Sequence, residues 1–221
     1  ALLAYAQLTF KKRRLKLLIL SYVSVALVLA NAIVGAIVVS TSLHEGVITA
    51  HMALAILLLC VLVYLVWAGG REKKYLEFAA RQTTCHRIGV ALFLVVIIEG
   101  VMGSQIREIT DALQKSNLDA SRSGWIEELE GAWVYLVHRS FSWVVVLVAL
   151  LFLYVNRKYQ LKRINWQVVA SVLIVLSQMC LGLILAQVGV FPVAQILHIG
   201  LSSILIAVLF HWLLLASKKT A

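Results

Sequence analysis

Three histidines of this sequence, His51, His138 and His198, each stand near the start of a long apolar run. Ionisable side chains inside a bilayer are costly and usually functional, and neutral imidazole is the commonest protein ligand for metal ions. Zinc usually takes a tetrahedral set with further ligands, whereas heme iron needs only one or two axial histidines. The three residues are therefore predicted metal ligands in a helical bundle, with heme as the favoured group. The alternative for each is an interfacial histidine that hydrogen-bonds water or backbone.

Two arginines are candidates for binding the acidic groups of such a cofactor. Arg139 directly follows His138 in LVHRSFSW, and Arg107 stands in GSQIRE. A guanidinium at the membrane face can pair bidentately with a heme propionate. The alternative for Arg139 is an arginine that extends towards lipid headgroups.

Glu99 is a third candidate, because it lies inside the apolar run LVVIIEGVMGSQ with no cation within a turn of its own helix. A carboxylate within a membrane span is a functional hypothesis by default. We expect Glu99 to act as a catalytic residue, either carrying protons or making a polar contact near a substrate. The alternative is a protonated side chain that hydrogen-bonds a neighbouring helix.

The elements that must position these residues are membrane-spanning helices. The chain has 221 residues, of which 62% are hydrophobic, and its mean hydropathy is +0.95. A span needs about 20 consecutive apolar residues, and lipid leaves backbone groups no partners outside a helix or a closed barrel. The alternation typical of barrel strands is absent. The sequence predicts an all-α integral membrane protein with six transmembrane helices, near residues 17–41, 47–68, 88–105, 133–155, 166–187 and 193–216.

The net charge of +10 follows the membrane topology and does not indicate binding to nucleic acid. Lysine and arginine cluster before the first span, between spans two and three, between spans four and five, and after span six. This alternation is the positive-inside pattern. It predicts cytoplasmic termini, with the loops near 43–46, 106–132 and 188–192 facing outward and the three histidines near the outer face. A nucleic-acid patch would need a soluble domain, and we predict none.

An internal repeat relates two helical hairpins of the chain. Residues 30–67 align without a gap with residues 177–214, so that Gly35 matches Gly182 and His51 matches His198. A fixed period that keeps both residues indicates duplication, and membrane proteins often carry such repeats. We predict two four-helix-bundle halves. Residues 1–87 form the back part of an incomplete first half, and residues 88–221 form a complete second half.

The opening ALLAYAQLTFKKRR is interpreted as the end of a preceding transmembrane helix, so we expect the chain to be a fragment or a processed product. The three cysteines show no metal or redox spacing, and none lies in an outward loop. We therefore predict no disulfide. The stretch GWIEELEGAW places tryptophans around acidic residues, which suggests a short interfacial helix.

Several motifs together resemble the heme A synthase family. They are VGAIVVSTSLHEGVITAHMALA, GSQIRE with a long outward loop leading to YLVHRSFSW, and LGLILAQVGVFPVAQILHIGLS. They occur in the family's order over nearly the whole chain. The resemblance implies a bundle of eight helices in two similar halves, each with a pair of heme-ligating histidines. It also implies a membrane oxidoreductase that converts heme O to heme A for cytochrome oxidase, by oxidising a ring methyl to a formyl group through a hydroxymethyl intermediate.

The same resemblance implies particular ligands. His138 and His198 match the axial ligands of a heme b cofactor in the C-terminal half, and His51 matches one ligand on the substrate side. The other substrate-side ligand, the glutamates of the first outward loop and a cysteine pair of many members have no counterpart in this sequence.

The resemblance further implies a bacterial inner membrane, with heme O as substrate and with heme O synthase and cytochrome oxidase assembly proteins as partners. A homo-oligomer is left open. The alternative functions are a bis-histidine membrane cytochrome b that transfers electrons, and a non-enzymatic heme carrier or assembly factor.

Overall fold

The computed structural model describes residues 15–41, 46–70, 75–78, 80–117, 125–160, 165–188 and 192–217. Within these ranges the protein is all-α, as predicted. Seven helices follow one another along the described chain: α1 Leu15–Ser40, α2 Val47–Gly69, α3 Gln82–Ser116, α4 Ile126–Gly131, α5 Trp133–Tyr159, α6 Trp166–Gln187 and α7 Pro192–Ala216. All except α4 are long and apolar enough to cross a membrane, which confirms the six predicted spans.

The described helices belong to two compact units, one within Ala1–Lys74 and the other within Tyr75–Ala221. In the first unit, α1 packs against α2. In the second unit, α3 contacts α5, α5 contacts α6, α6 contacts α7, and α7 returns to α3. The Cα atoms of α5 and α7, and those of α3 and α6, do not come within 8 Å of each other in the described residues. The second unit is therefore a closed four-helix ring in which these two pairs lie diagonally opposite.

Large apolar side chains cover the outside of the helices. Ile33, Leu147 and Leu173 are examples, each more than half exposed. Lipid tails are as apolar as these side chains, so a membrane helix loses nothing by presenting them outward. The interior of the second unit is instead held by close packing, and Phe152 and Trp212 are both fully buried there. Their rings meet edge to face with centroids 4.6 Å apart.

Helix α3 is longer than the sequence predicted. The apolar run suggested a span over 88–105 and an outward loop from 106, but the helix continues to Ser116. The loop prediction was wrong for this segment, because the extension has polar residues that form their own helical contacts. Arg107 pairs with Asp111 one turn later at 2.9 Å, and Leu113 packs in a small cluster with Trp125 and Leu129.

The short helix expected in GWIEELEGAW is present as α4, and it packs against α3 and α5. Trp125, just before α4, is buried, whereas Trp133 at the start of α5 is 71% exposed. The first residues of α6 are fixed by a capping side chain, since Asn165 accepts a hydrogen bond from the backbone N–H of Gln167 at 2.9 Å. This contact satisfies one of the donors that a helix N-terminus leaves without a partner.

Candidate functional site

His138 and His198 lie on the two diagonal helices α5 and α7, within the first turns of each. The four helices of the ring alternate in direction, so α5 and α7 run the same way and both histidines lie at the same end. The backbones of α5 and α7 lie diagonally across the ring, with no Cα atoms within 8 Å of each other. The structure therefore places the two histidines that the sequence predicted as a ligand pair at the same end of the ring.

Glycines on the other diagonal pair of helices, α3 and α6, pack against these two imidazole rings. A Cβ built on Gly103 of α3 would lie 3.6 Å from Cε1 of His138, and one on Gly182 of α6 would lie 3.8 Å from Cε1 of His198. Each imidazole thus packs against bare backbone of an adjacent helix. Small residues at such positions let helices or a flat group approach closely. All four helices of the ring consequently contribute to the space around the two histidines.

The first unit repeats the same contact between its own two helices. His51 of α2 packs against Gly35 of α1, where a Cβ would lie 3.1 Å from Cε1 of the ring. Gly35 and His51 are the residues that align with Gly182 and His198 in the sequence repeat. The repeat therefore preserves a specific contact of backbone and imidazole as well as two residue types.

Hydroxyl and amide groups fix the backbone at both histidines of the second unit. Ser142 donates to the carbonyl oxygen of His138 at 2.9 Å, and Ser202 donates to that of His198 at 3.0 Å. The side chain of Gln178 also donates to the His198 carbonyl, from Nε2, at 2.7 Å. These three residues were not singled out from the sequence. The spacing could have indicated the serines, because each stands four residues after a histidine.

Glu99 lies directly beside His138. Its Oε1 accepts a hydrogen bond from the Ser142 hydroxyl and is 3.3 Å from Nδ1 of His138. The His138 and Glu99 side chains are only 20% and 16% exposed, respectively. The sequence suggested a carboxylate near a substrate or a hydrogen bond to a neighbouring helix. The contact in the structure is with a predicted iron ligand on a neighbouring helix.

The two predicted propionate-binding arginines differ in their surroundings. Arg107 follows Gly103 by four residues, which places it about 6 Å further along the same face of α3. Its Nε is held by Asp111, and a guanidinium has further N–H donors for an anion. Arg139 is exposed at the surface of α5. The geometry thus favours Arg107 over Arg139 as the partner of a group bound between the histidines.

The remaining histidines are separate from this site. His211 of α7 is 3.0 Å from Nε2 of Gln167, in the half of the helix that follows His198. His86 lies in the first turns of α3 and is partly buried. His44 and most of the predicted charge clusters lie outside the described residues. Cys60, Cys85 and Cys180 are all free, so none of them forms a disulfide within the chain.

The donor set fits a heme better than an ion held by protein alone. No group of three or more histidine, cysteine, aspartate or glutamate side chains that could hold a metal ion is found in the described part of the chain. Nδ1 of both His138 and His198 is buried without a hydrogen-bond partner among the described residues. Two imidazoles from opposite helices can occupy the axial positions of an iron whose other four ligands come from a porphyrin.

These observations define an integral membrane protein of six long apolar helices with paired histidines in a four-helix bundle. A family model described as "Cytochrome oxidase assembly protein" (COX15-CtaA) matches residues 1–210, and the chain belongs to this family. A relative from Bacillus licheniformis named "Heme A synthase" is 24% identical over 214 residues. That similarity covers 90% of this chain and 68% of the relative.

Proposed function

We propose that this chain is a heme A synthase that oxidises a ring methyl of heme O to a formyl group, through a hydroxymethyl intermediate, for cytochrome oxidase assembly. Family membership over residues 1–210 and the name of the Bacillus relative support this activity. The observation that carries the proposal is the glycine-supported pair formed by His138 and His198. Their arrangement suits a flat macrocycle held between opposite helices of the ring.

The proposed ligand assignments divide the chain by function. Residues 88–221 hold the cofactor heme b through His138 and His198, and residues 1–87 contribute to the substrate side through His51. Arg107 binds a propionate of the cofactor, and Arg139 is the second candidate for that role. The chain acts in a bacterial inner membrane, with cytoplasmic termini and with its heme sites near the outer face. Heme O synthase and cytochrome oxidase assembly proteins are its proposed partners.

The protein's own contribution to this chemistry would be to bind the heme and to shield it from water. When bound, heme b supplies the redox chemistry of the oxidation. His138 and His198 would hold the heme, and Gly103 and Gly182 would leave room for it beside helices α3 and α6. The apolar flanks of the helices exclude water from the same space. The serines at positions 142 and 202 hold the backbone at the ligands.

Histidine substitution tests the ligand assignment. We expect His138→Ala and His198→Ala each to abolish the optical bands of reduced heme b in purified protein, because one axial ligand is lost. His211→Ala serves as the matched control, since this residue lies on the same helix as His198 but contacts Gln167. Unchanged spectra in both variants, or loss of the bands in the control alone, would contradict the assignment.

Extraction of the pigment distinguishes the synthase from the alternative functions. We expect heme that bears a formyl or hydroxymethyl group when the chain is produced in membranes that also make heme O. Heme b as the sole pigment under these conditions would instead support an electron-transfer cytochrome or a heme carrier. The measurement is chromatography of the extracted heme with mass detection.

A further inference from the structure

A polar residue stands one helical turn before each of the three glycines that support a histidine. The motif occurs in NAIVG, EGVMG and QMCLG. Its members are the pairs Asn31 and Gly35, Glu99 and Gly103, and Gln178 and Gly182. Residues four apart lie on the same face of a helix. Each polar side chain therefore lies on the helix face that packs against an imidazole.

These three polar residues and the three histidines contain buried side-chain polar atoms that have no hydrogen-bond partner among the described residues. Buried polar groups in proteins are nearly always paired, so such atoms require an explanation. On the acceptor side they are Asn31 Oδ1, Glu99 Oε2 and Gln178 Oε1. On the histidine side they are Nδ1 of His51, His138 and His198. For each of these histidines, the helix that carries the contacting glycine also carries a side-chain oxygen without a hydrogen-bond partner among the described residues.

In the second unit, these groups lie close to each other. Glu99 Oε1 is 3.3 Å from Nδ1 of His138, a separation that a small rotation of the ring can convert into a hydrogen bond. Gln178 already contacts the backbone of His198 through its Nε2, so its Oε1 is attached to the same amide group. In the first unit, Asn31 occupies the position that aligns with Gln178.

We propose that Asn31, Glu99 and Gln178 are positioning residues that accept the Nδ1–H of His51, His138 and His198 and thereby direct each Nε2 towards iron. The proposal rests on the heme-binding function proposed above. Histidine ligands of metals commonly donate their other ring N–H to an acceptor, which fixes the tautomer and the ring orientation. Here one motif, repeated three times, provides that acceptor from the neighbouring helix.

The two axial ligands of the second unit consequently have unlike acceptors. His138 has a carboxyl group, and His198 has an amide. An acidic side chain is a stronger hydrogen-bond acceptor than an amide and raises the electron donation of the histidine. Stronger donation favours ferric over ferrous iron. Exchange of the two acceptor types should therefore move the midpoint potential of the heme in predictable directions.

The experiment uses the full chain in detergent, loaded with ferric heme b. We expect Glu99→Leu and Gln178→Leu to weaken heme affinity by about 10–100-fold and to change the electron paramagnetic resonance spectrum, which reports the orientation of the imidazole planes. Glu99→Gln and Gln178→Glu keep an acceptor oxygen, so both should retain affinity. Glu99→Gln should raise the midpoint potential, and Gln178→Glu should lower it.

A matched control separates positioning from helix packing. Ser177 is exposed, is adjacent to Gln178 and donates to its own helix at Leu173. Ser177→Leu removes a polar side chain next to the motif and should leave affinity, spectrum and potential unchanged. Recovery of heme affinity in the Glu99→Gln protein relative to Glu99→Leu, at equal thermal stability, supports the positioning role. A raised midpoint potential in the Glu99→Gln protein supports it further, because a purely structural contact would not shift the potential.

Two results would overturn the proposal, and they can be told apart. If the unsubstituted chain shows no bis-histidine heme, the proposed function fails and this inference fails with it. If the unsubstituted chain binds such a heme, but both leucine variants retain its affinity and spectrum, the positioning role alone is wrong. Should a leucine variant not fold, unchanged midpoint potentials in Glu99→Gln and Gln178→Glu give the same negative answer.

Discussion

At the residue scale, the contact between a glycine and a histidine ring is the unit from which this site is built. Three such contacts occur in the described chain, and they differ in tightness. A Cβ at Gly35 would lie 3.1 Å from the His51 ring, whereas one at Gly182 would lie 3.8 Å from the His198 ring. The second distance is ordinary van der Waals contact. A methyl group at the repeat-related positions should therefore have unequal effects.

We expect Gly35→Ala to displace the His51 ring and Gly182→Ala to leave the His198 ring in place. The measurement is the Cε1–H resonance of each histidine in isotope-labelled protein. Gly100→Ala is the control, because a Cβ there meets nothing within 4 Å. Equal shifts of both histidine resonances, or a shift in the control protein, would show that the short distance at Gly35 does not determine the position of the His51 ring.

Sequence reasoning identified the histidines but not the atoms that surround them. His51, His138 and His198 were found because ionisable residues are conspicuous in apolar runs. Ser142 and Gln178 were missed because a polar residue within a helix has many possible partners, and one sequence does not say which helices are neighbours. The four-residue spacing before each glycine was nevertheless visible in the sequence and could have indicated the acceptor residues.

At the element scale, hydrophobic run length predicted the membrane spans and underestimated α3. The length of an apolar run reflects the thickness of the lipid core that a helix must cross. It does not indicate helical turns that continue beyond that core into polar surroundings. The extension through Arg107 and Asp111 is stabilised by contacts between side chains one turn apart. The packing of its end against Trp125 and Leu129 adds a small apolar cluster. Such tertiary support cannot be derived from hydropathy.

The N-terminal part of α3 provides a test of helix packing. A Cβ at Gly89 would lie 2.3 Å from Cζ3 of Trp212, and this indole is fully buried against Phe152. Because neither ring can move outward, we expect Gly89→Ala to destabilise the protein by about 1–3 kcal/mol. Gly100→Ala on the same helix should cost less. Denaturation of the purified proteins in mixed micelles measures both, and equal stability would contradict the packing argument.

At the scale of the whole molecule, the repeat and the charge pattern describe different properties. The repeat predicted that helix pairs with a glycine and a histidine would recur, and the structure shows this contact in each unit. The charge pattern predicts the orientation in the membrane, which depends on groups outside the helices. Many of those groups lie outside the described residues, so orientation stays a prediction from the sequence.

Labelling with a membrane-impermeant thiol reagent tests the orientation. Glu128 on α4 and Arg157 near the end of α5 are both exposed. With Cys60, Cys85 and Cys180 replaced by alanine, we expect Glu128→Cys to react in intact cells and Arg157→Cys to react only after lysis. The physical reason is the excess of lysine and arginine on the cytoplasmic side. The reverse result would place the histidines near the cytoplasm.

The closed order of the four-helix ring also constrains how the protein is made. The backbones of α5 and α7 lie diagonally across the ring, each between α3 and α6, and α7 returns to contact α3. During synthesis, His138 leaves the ribosome about 60 residues before His198. A nascent chain that lacks α7 has only one of the two proposed ligands, and its ring of helices has an open side. Under the proposed function, heme would therefore enter between both imidazoles only after α7 has entered the bilayer.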